Sequence, residues 1–373
     1  MMSFFHHLSV SMLASVMAVA LFSSCKSEQG MMDASLLLLS PFTYNSQWQQ
    51  ARIVIGKDTD TVWVKGRGHS TFMQPKHPLE LKWNTKKDFR GIKPHKHWVM
   101  LANFFDHSLM RNALAMEVAR QTSLKSVTPK GRFVSLNING EGQGIYWMSE
   151  RVKDKAKATD SLLKLDVYHW HNQRERGLSL DTLPSALPLD TLSLVDWWLV
   201  HELCMNAEPN GPRSCYLRVT TDGRIAFGPV WDFDMAFNEL GVDNGGDLRP
   251  KKFKTMKTLP PFLQGKEIRW LSVDSFYCDQ SVFMRSLSHN KRFRQLSLQR
   301  WLQLRPRFVS LTQRIDQWTD LLRSKAPADQ RKWNSLEPAR FDSSSTWEEA
   351  VQRLKATYLK RIEAMDHLLS NLP

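Results

Sequence analysis

Cysteine is scarce in this chain of 373 residues, which contains only four. Apart from Cys25 they are Cys204, Cys215 and Cys278, and their spacing matches no zinc-binding pattern. Three cysteines cannot build the disulfide framework that holds many small secreted domains together. Cys204 and Cys215 could pair in an oxidising compartment, but buried free thiols are an equally good interpretation. The sequence therefore predicts neither a zinc protein nor a disulfide scaffold.

Nucleic-acid-binding motifs and basic low-complexity runs are also missing, although the chain is strongly basic. It has 51 Lys and Arg against 37 Asp and Glu, a formal net charge of +14. An excess of this sign suits anionic partners such as nucleotides, phosphorylated surface polymers or lipid headgroups. Because no recognised motif accompanies the charge, we expect no nucleic-acid partner.

Charged residues are absent from the first 24 positions, and residues 8–22 are mostly apolar or small. This run is too short for an ordinary membrane-spanning helix, which favours a cleaved signal peptide. It ends in residues 21–25 (LFSSC), which resemble a bacterial lipobox, where Cys25 would become the lipidated first residue. We predict a lipoprotein signal at residues 1–24 and a tether at 25–45. The protein would be anchored by lipid to the bacterial cell envelope, facing the periplasm or the outer surface.

The rest of the chain has the composition and length of a globular protein with a large core. Hydrophobic residues make up 42% of the sequence and charged residues 24%. Strand-like alternation dominates residues 46–155, and helical spacing of apolar side chains dominates residues 190–373. Residues 156–190 are loop-like, and residues 242–265, rich in Gly, Pro and Lys, predict a mobile insertion. We predict an α+β fold with a smaller β-rich lobe and a larger, mostly helical lobe.

Local signals mark the ends of several elements. The Asn-Gly pair at 139–140 predicts the turn of a β-hairpin. Asp106 can cap a helix over residues 108–121. Ser345 with Glu348 has the spacing of a capping box at the start of the last helix.

Two carboxylates, Asp232 and Asp234, lie inside the otherwise apolar segment 228–237 (GPVWDFDMAF). Ionised carboxylates are costly to bury without a partner, so an apolar setting indicates a metal ion or a cationic side chain facing them. The alternative is a strand end that carries two solvated acids. The residues upstream bear on this choice.

Those upstream residues occur in an informative order. A turn with two glycines at residues 66–72 is followed by Lys82 on a strand, Glu117 on a helix and a polar loop at residues 206–213. A hairpin then leads to Asp232. Phosphoryl transfer depends on positioning and charge neutralisation, and this is the order of the corresponding parts in a protein kinase. Each part alone is a weak signal, and the order is what favours a phosphate-handling function.

At this point the sequence resembles the CotH kinase family, named for a spore-coat protein and built on an atypical protein-kinase-like fold. The segments that carry the resemblance are 66–72 (GRGHSTF), 76–82 (KHPLELK), 98–106 (WVMLANFFD), 109–115 (LMRNALA), 144–150 (GIYWMSE) and 231–234 (WDFD). The resemblance implies one two-lobed kinase-like domain over residues 46–373 with a helical C-terminal region. It also implies ATP and Mg²⁺ or Mn²⁺ as cofactors.

The resemblance assigns roles to residues of the smaller lobe. The backbone around Gly68 and Ser70 would cover the nucleotide phosphates, and Arg67 would add positive charge. Lys82 would contact phosphate, with Glu117 as its ion-pair partner. These five residues form the nucleotide side of the expected site.

The remaining roles fall near and within the larger lobe. Glu150 would contact the base or ribose, and Asp232 would hold the metal ion with help from Asp234. The catalytic loop departs from the family pattern, because Glu208 stands where the family has Asp. A longer side chain displaces the carboxylate by about an ångström, which can cost on the order of a hundredfold in rate. Asn210 is the candidate that would replace a missing Asn as a metal ligand, since Arg213 or Ser214 occupies that position.

These observations leave three functional hypotheses. The first is a lipid-anchored kinase that uses Glu208 and Asp232 to transfer phosphate from ATP to a surface protein or anionic surface polymer. The second is a catalytically impaired pseudokinase that acts as a cell-surface assembly or binding protein. The third, a glycan-binding or glycan-cleaving lipoprotein, depends on the 14 tryptophans and the paired acids, but tryptophans in helical stripes are typical of a core. Whether the protein is an enzyme is left open by the sequence.

Overall fold

The structure is a computed structural model of the chain. It describes residues 31–38, 43–89, 92–152, 161–165, 189–210, 214–244, 247–279, 282–336 and 341–371. The predicted signal peptide, the lipidation site at Cys25 and most of the loop-like segment 156–190 lie outside the described residues.

Seven strands close into a barrel in the spatial order β1-β2-β3-β4-β5-β7-β6. The strands are β1 (Met32–Leu38), β2 (Gln49–Ile55), β3 (Asp58–Gly66), β4 (Leu79–Phe89), β5 (Ile92–Leu101), β6 (Gly131–Ile138) and β7 (Glu141–Glu150). Neighbouring strands are antiparallel except β1 and β6, which run parallel and close the barrel. Alternate side chains point inward, as the period of a strand requires, and Leu36, Val64, Leu81, Trp98 and Met148 are among those that fill the interior.

The first strand corrects one sequence-based prediction. Met32–Leu38 falls within the predicted tether, yet it pairs with β2 on one side and with β6 on the other. Met32, Ala34 and Leu36 are buried in the barrel interior. This alternation suits a strand with one buried face, and pairing with β1 satisfies the backbone groups of two edges that would otherwise stay open.

The predicted hairpin at residues 139–140 is confirmed. Asn139 and Gly140 have φ angles of 50° and 88° and connect β6 to β7. Both residues lie in the left-handed region, which a tight hairpin turn of this kind requires. Lys82, which was predicted on a strand, lies on β4.

The helices form a second core beside the barrel. They are α1 (Arg111–Arg120), α2 (Thr191–Leu203), α3 (Val282–His289), α4 (Lys291–Ser310), α5 (Thr312–Leu322), α6 (Ala326–Trp333) and α7 (Trp347–Ser370). Trp197, Trp198, Trp301 and Trp347 are almost completely buried in this core. Cys204, Cys215 and Cys278 are buried, and no disulfide joins Cys204 to Cys215. None of the helices in the described part of the chain is long and apolar enough to cross a membrane.

Helix starts agree with the sequence signals only approximately. The last helix is capped one residue later than predicted, because Thr346 accepts the backbone N–H of Glu349 at 3.1 Å. The carboxylate of Glu349 in turn accepts the backbone N–H of Ser345 at 2.7 Å. The capping box therefore uses Glu349 and not Glu348, and its reciprocal bond goes to the residue before the cap.

The helix α1 begins at Arg111, three residues after the predicted start. Asp106 still acts at this end of the helix, since its carboxylate accepts the backbone N–H of Arg111 at 2.7 Å. The intervening residues form turns, and Leu109 has a φ angle of 67° that no α-helix accommodates.

Two small sheets connect the barrel to the helices. One consists of β8 (Ser161–Leu165), β9 (Cys215–Val219) and β10 (Ile225–Phe227), in the order β10-β9-β8, and the other of β11 (Leu240–Asp243), β12 (Leu248–Pro250) and β13 (Ile268–Trp270), in the order β12-β11-β13. The segment 242–265 was predicted as a mobile insertion. It begins within β11, contains β12 and leads to β13, so it belongs in part to the second sheet. The fold is α+β, as predicted, but the closed barrel was not foreseen.

Candidate functional site

A cavity of about 300 Å³ lies where the end of β3 meets the loop that carries Trp231. The barrel contributes residues from β3, β4 and the end of β7, and the first small sheet contributes one residue from β9. The cavity is lined by Ser46, Lys65, Gly66, Arg67, Gly68, Phe72, Glu80, Arg151, Val152, Tyr216 and Trp231.

The glycine turn forms one rim of this cavity, and both glycines are required by close contacts. A Cβ on Gly66 would lie 2.7 Å from the ring of Tyr44, and one on Gly68 would lie 2.3 Å from Oγ1 of Thr71. Gly68 also has a φ angle of 103°, which disfavours any residue with a side chain. Ser70, predicted as part of the nucleotide cover, begins a short 3₁₀ turn, is exposed and does not line the cavity.

Glu80 is the buried centre of a cluster of cationic side chains. Its carboxylate lies 3.0 Å from Nη1 of Arg151, 3.4 Å from Nδ1 of His97 and 3.7 Å from Nζ of Lys65. Burying a carboxylate that is only 4% exposed is costly without such hydrogen-bonding and basic partners. Because Lys65, Arg67 and Arg151 outnumber Glu80, the cavity lining keeps an excess of positive charge.

Arg67 connects the glycine turn to residues 231–234, which carry Asp232 and Asp234 and which we call the acidic loop. Its guanidinium lies over the ring of Trp231, with 5.6 Å between the guanidinium carbon and the ring centroid. Burial lowers the pKa of Arg67, and the attraction of Asp232 and Glu80 opposes that effect. The side chain therefore lies within the electrostatic reach of both acids and contributes to the positive charge of the cavity.

Asp232 and Asp234 have different environments. Asp232 has a φ angle of 70°, a strained conformation for a residue with a side chain and one found at functional sites. It is partly exposed, and its Oδ2 accepts a hydrogen bond from Oγ of Ser214 at 2.8 Å. Asp234 is buried, and burial together with repulsion from Asp232 raises its pKa well above the usual range. Of the two acids, Asp232 is the one that an incoming cation can reach.

A metal site built by protein ligands alone is not formed around these acids. Within the part of the chain that the structure describes, no group of three or more His, Cys, Asp or Glu side chains is close enough to hold a metal ion. Asp232 and Asp234 are thus two carboxylates that need further ligands. Such a donor set resembles sites where Mg²⁺ is held by one or two carboxylates together with substrate phosphates.

Asn112 holds the backbone of the acidic loop from the start of α1. Its Oδ1 accepts the backbone N–H of Phe233 at 2.8 Å, and its Nδ2 donates to Oδ1 of Asn103 at 2.9 Å. Asn103 in turn donates to the carbonyl of Leu109. This chain of hydrogen bonds fixes the residue between Asp232 and Asp234. The segment 109–115 contributed to the sequence resemblance, but it had been assigned no role.

Arg111 holds the other side of the same loop. It donates to the carbonyl of Asp234 at 3.2 Å and to Oδ1 of Asn238 at 3.1 Å. It also forms a buried ion pair with Asp342, and its Nε lies 3.5 Å from Oδ1 of Asp106. One buried cation therefore compensates two carboxylates and orients the main chain at the end of the acidic loop.

The predicted ion pair between Lys82 and Glu117 is not formed. Nζ of Lys82 lies 5.8 Å from the ring centroid of Trp48, and Oε1 of Glu117 lies 3.6 Å from Nε of Arg120 on the same helix. Neither Lys82 nor Glu117 lines the cavity. The strand period places Lys82 on the same face of β4 as Glu80, but only Glu80 lines the cavity. The lysine that lines the cavity beside Glu80 is Lys65.

Two further predicted residues, Glu150 and Asn210, do not line the cavity. Glu150 ends β7, where burial raises its pKa and its carboxylate lies 3.7 Å from Nε2 of His95. The next residue, Arg151, is the one that lines the cavity. In the catalytic-loop candidate, Nδ2 of Asn210 donates to the carbonyl of Tyr277 at 2.6 Å.

The structure therefore brings Ser214 to Asp232 and directs the amide of Asn210 towards another partner. Glu208 begins the short 3₁₀ turn Glu208–Asn210 and is partly exposed. Its neighbour Asn206 donates to the carbonyl of Asp232 at 3.4 Å, so this loop and the acidic loop are in contact. Arg213 lies outside the described residues.

His201 packs against the acidic loop. Its ring packs against Trp197 and against Phe233, with centroid distances of 4.3 and 4.9 Å. Neither ring nitrogen has a hydrogen-bond partner among the residues that the structure describes, and burial lowers the pKa of His201 to about 3. The imidazole is neutral and serves as a core aromatic group, since a charged ring would be unsolvated there.

This burial predicts a specific pH dependence of stability. The unfolded chain protonates His201 near pH 6.5, whereas the folded chain does so only near pH 3, so acidification stabilises the unfolded state between these values. Between pH 5.5 and 4.5 the free energy of unfolding should fall by about 1.4 kcal/mol more in the wild type than in His201→Phe. Urea unfolding of both proteins at the two pH values measures this difference. Parallel pH profiles would show that His201 does not titrate differently on folding.

Comparison with known families agrees with the resemblance found in the sequence. The sequence profile of a family described as CotH kinase protein matches residues 64–185 and 187–365. The matched ranges contain the glycine turn, Glu80, Asn112 and the acidic loop. No curated protein matches the chain significantly.

Proposed function

The chain belongs to the CotH kinase family, and from this premise we propose that it binds ATP with Mg²⁺ or Mn²⁺ in the cavity between Gly66 and Trp231. The barrel is then the smaller lobe of a kinase-like arrangement and the helical region the larger lobe. The acceptor of the phosphate is a surface protein or an anionic surface polymer. The observation that carries the proposal is the cationic lining of a cavity bounded by the glycine turn and by the residue before Asp232.

The cavity suits a polyphosphate. Its volume of about 300 Å³ is at the lower end of the range of small-molecule sites. Lys65, Arg67 and Arg151 supply the positive charge that phosphates require, and the glycine turn allows the backbone to approach the ligand closely. In this proposal Lys65 and Arg151 take the phosphate-binding role that the sequence suggested for Lys82.

Asp232 is the residue that would hold the divalent ion. When bound, the ion supplies neutralisation of the charge on the phosphates. Ser214 fixes the carboxylate of Asp232 through its hydroxyl, and Asn112 fixes the adjoining backbone. Asp234 supports the loop from its buried position. Glu208 has the role of accepting the proton of the acceptor hydroxyl.

Nucleotide binding can be tested by thermal unfolding of the chain from Lys26 onward, with and without ATP and Mg²⁺ or Mn²⁺. At a hundredfold excess over the dissociation constant, the ligand should stabilise the wild type by about 2.7 kcal/mol. We expect this gain to vanish in Asp232→Asn and to persist in Asp58→Asn, which removes an exposed carboxylate from the first hairpin.

Phosphate transfer to added acceptors should show the same pattern in the three proteins. Equal stabilisation of the wild type and Asp232→Asn would refute the metal role of Asp232. Stabilisation without any transfer would instead favour the second candidate function.

That second candidate is a pseudokinase that acts as a cell-surface assembly or binding protein. It is favoured by Glu208 in place of Asp. The scarcity of ATP outside the cytoplasm favours it as well, if the lipid on Cys25 holds the protein on the cell envelope. It predicts partner capture that is unchanged in Asp232→Asn, and loss of capture in that variant would count against it.

A further inference from the structure

Residues 251–266, which form all but the last residue, Glu267, of the segment between β12 and β13, make a basic surface loop that does not line the cavity. We refer to it as the lysine loop. Its sequence, KKFKTMKTLPPFLQGK, contains five lysines and no Asp or Glu. All five lysines are exposed.

The lysine loop is held at its base by contacts with the rest of the molecule. Lys251 forms an ion pair with Glu239, and Nζ of Lys266 lies 3.1 Å from Oδ2 of Asp243. Leu263 is completely buried and anchors the middle of the loop in the structure. The loop is therefore a defined surface and not a loose tail.

Lys254 and Lys257 lie three and six residues after Lys251, and both are exposed. Neither forms an ion pair with an acid in the described part of the chain. Their charges are therefore available to an anionic partner, whereas those of Lys251 and Lys266 are already partly compensated.

Large apolar side chains accompany these charges on the surface. Phe262 is 60% exposed and Met256 is 45% exposed. Phe262 is held edge-on against Phe253, with ring centroids 6.2 Å apart. Exposing a phenylalanine to water costs hydrophobic free energy, so its presence in the tightly turned part of a basic loop indicates a partner that is both anionic and apolar.

We propose that the lysine loop binds the surface of an anionic lipid bilayer. Lys254 and Lys257 face the headgroups, and Phe262 and Met256 enter the boundary between headgroups and acyl chains. Basic side chains next to exposed apolar ones are the composition of interfacial membrane-binding segments. A soluble anionic polymer would use the lysines but would leave Phe262 in water.

This surface would add to the predicted lipid on Cys25. Stable membrane attachment generally takes two signals, for example an acyl chain together with a basic patch. The proposal does not depend on the nucleotide site, because no residue of the lysine loop lines the cavity.

The test measures vesicle binding by the chain from Lys26, which carries no lipid and contains every residue that the structure describes. Vesicles of equal parts phosphatidylcholine and phosphatidylglycerol are compared with vesicles of phosphatidylcholine alone. We expect binding to the anionic vesicles only, and weaker binding at high salt. The variant Lys254→Gln/Lys257→Gln should bind roughly thirtyfold more weakly, at about 1 kcal/mol for each lysine near the surface.

Matched variants separate a local surface from net charge. Lys57→Gln/Lys86→Gln removes the same charge from exposed positions on the barrel and should bind as the wild type does. Phe262→Ser should weaken binding without any change of charge. Retention of the stabilisation by ATP and metal in all variants would show that the nucleotide site is intact.

Three results would overturn the proposal. One is equal binding to the two kinds of vesicle, and another is equal weakening by the two double lysine variants. The third is normal vesicle binding by Phe262→Ser together with full competition by soluble polyphosphate, which would assign the lysine loop to a soluble anionic polymer.

Discussion

Replacing Arg111 with Met should lower the free energy of unfolding by about 3–5 kcal/mol, the usual cost of removing one partner from a buried ion pair. Arg111 is 3% exposed and lies between Asp106 and Asp342. Burial already raises the pKa of Asp106, which the nearby guanidinium opposes. Without Arg111, Asp106 would lose its ion-pair partner, Asp342 would keep only the more exposed Arg353 at 3.3 Å, and the carbonyl of Asp234 would lose its donor.

Chemical denaturation of the wild type and Arg111→Met measures this loss. Arg111→Lys keeps the charge but not the planar fork that reaches several acceptors at once, so it should recover only part of the stability. In Arg111→Met/Asp342→Asn the buried charge of the Asp342 carboxylate is also removed. The loss in the free energy of unfolding should therefore be smaller than in Arg111→Met alone. If the single and double variants were equally unstable, the cost would come from packing and not from the unpaired carboxylate.

Replacing Lys76 with Met should have an effect of similar size, at about 3–5 kcal/mol. Lys76 is 1% exposed, and its Nζ lies 2.7 Å from Oδ2 of Asp329 on α6 and 2.8 Å from the carbonyl of Ile145 on β7. The same Asp329 oxygen accepts the backbone N–H of Ile145 at 2.6 Å. The ion pair therefore attaches the segment after the glycine turn to both the barrel and the helical region.

Variants around this ion pair distinguish charge from shape. Lys76→Met/Asp329→Leu leaves no buried charge and should be more stable than Lys76→Met. Gly144→Ala should destabilise although both charged residues are kept, because a Cβ there would lie 2.0 Å from Oδ2 of Asp329 and the φ angle of Gly144 is 91°. Urea unfolding compares the four proteins. A loss below about 1 kcal/mol in Lys76→Met would mean that the pair behaves as a solvated surface pair.

Elements that depend on neighbouring residues could be predicted well. The hairpin at residues 139–140, the strands β4 and β5 and the long helix α7 follow from turn residues and apolar periodicity, which are local properties of the chain. Helix starts were less accurate, because Thr346 and Ser345 both have a side chain suitable for a cap. The order of the glycine turn, the strand lysine and the acidic loop also sufficed to identify the CotH kinase family.

Pairings between distant segments could not be predicted. Lys65 and Lys82 both precede the helix that carries Glu117, and only the folded chain shows that Lys65 lies opposite Glu80 while Lys82 lies by Trp48. The closure of the barrel by β1 and β6 was missed because a short apolar run does not indicate which strand it pairs with. A nucleotide contact was predicted for Glu150 at the end of β7, but it is the next residue, Arg151, that lines the cavity. The direction of the chain at this point decides which of the two side chains enters the cavity.

Four features could be predicted from local sequence signals: the family, the α+β composition, the glycine turn and the position of Asp232 and Asp234 at the end of a hairpin. Each of these is encoded in residue type and short-range spacing. The folded chain was needed to show which cations line the cavity and that Asp232 is reachable while Asp234 is buried. It was also needed to show that Asn112 and Arg111 hold the acidic loop. The reason is physical: burial, hydrogen-bond partners and charge compensation depend on segments that meet only when the chain is folded.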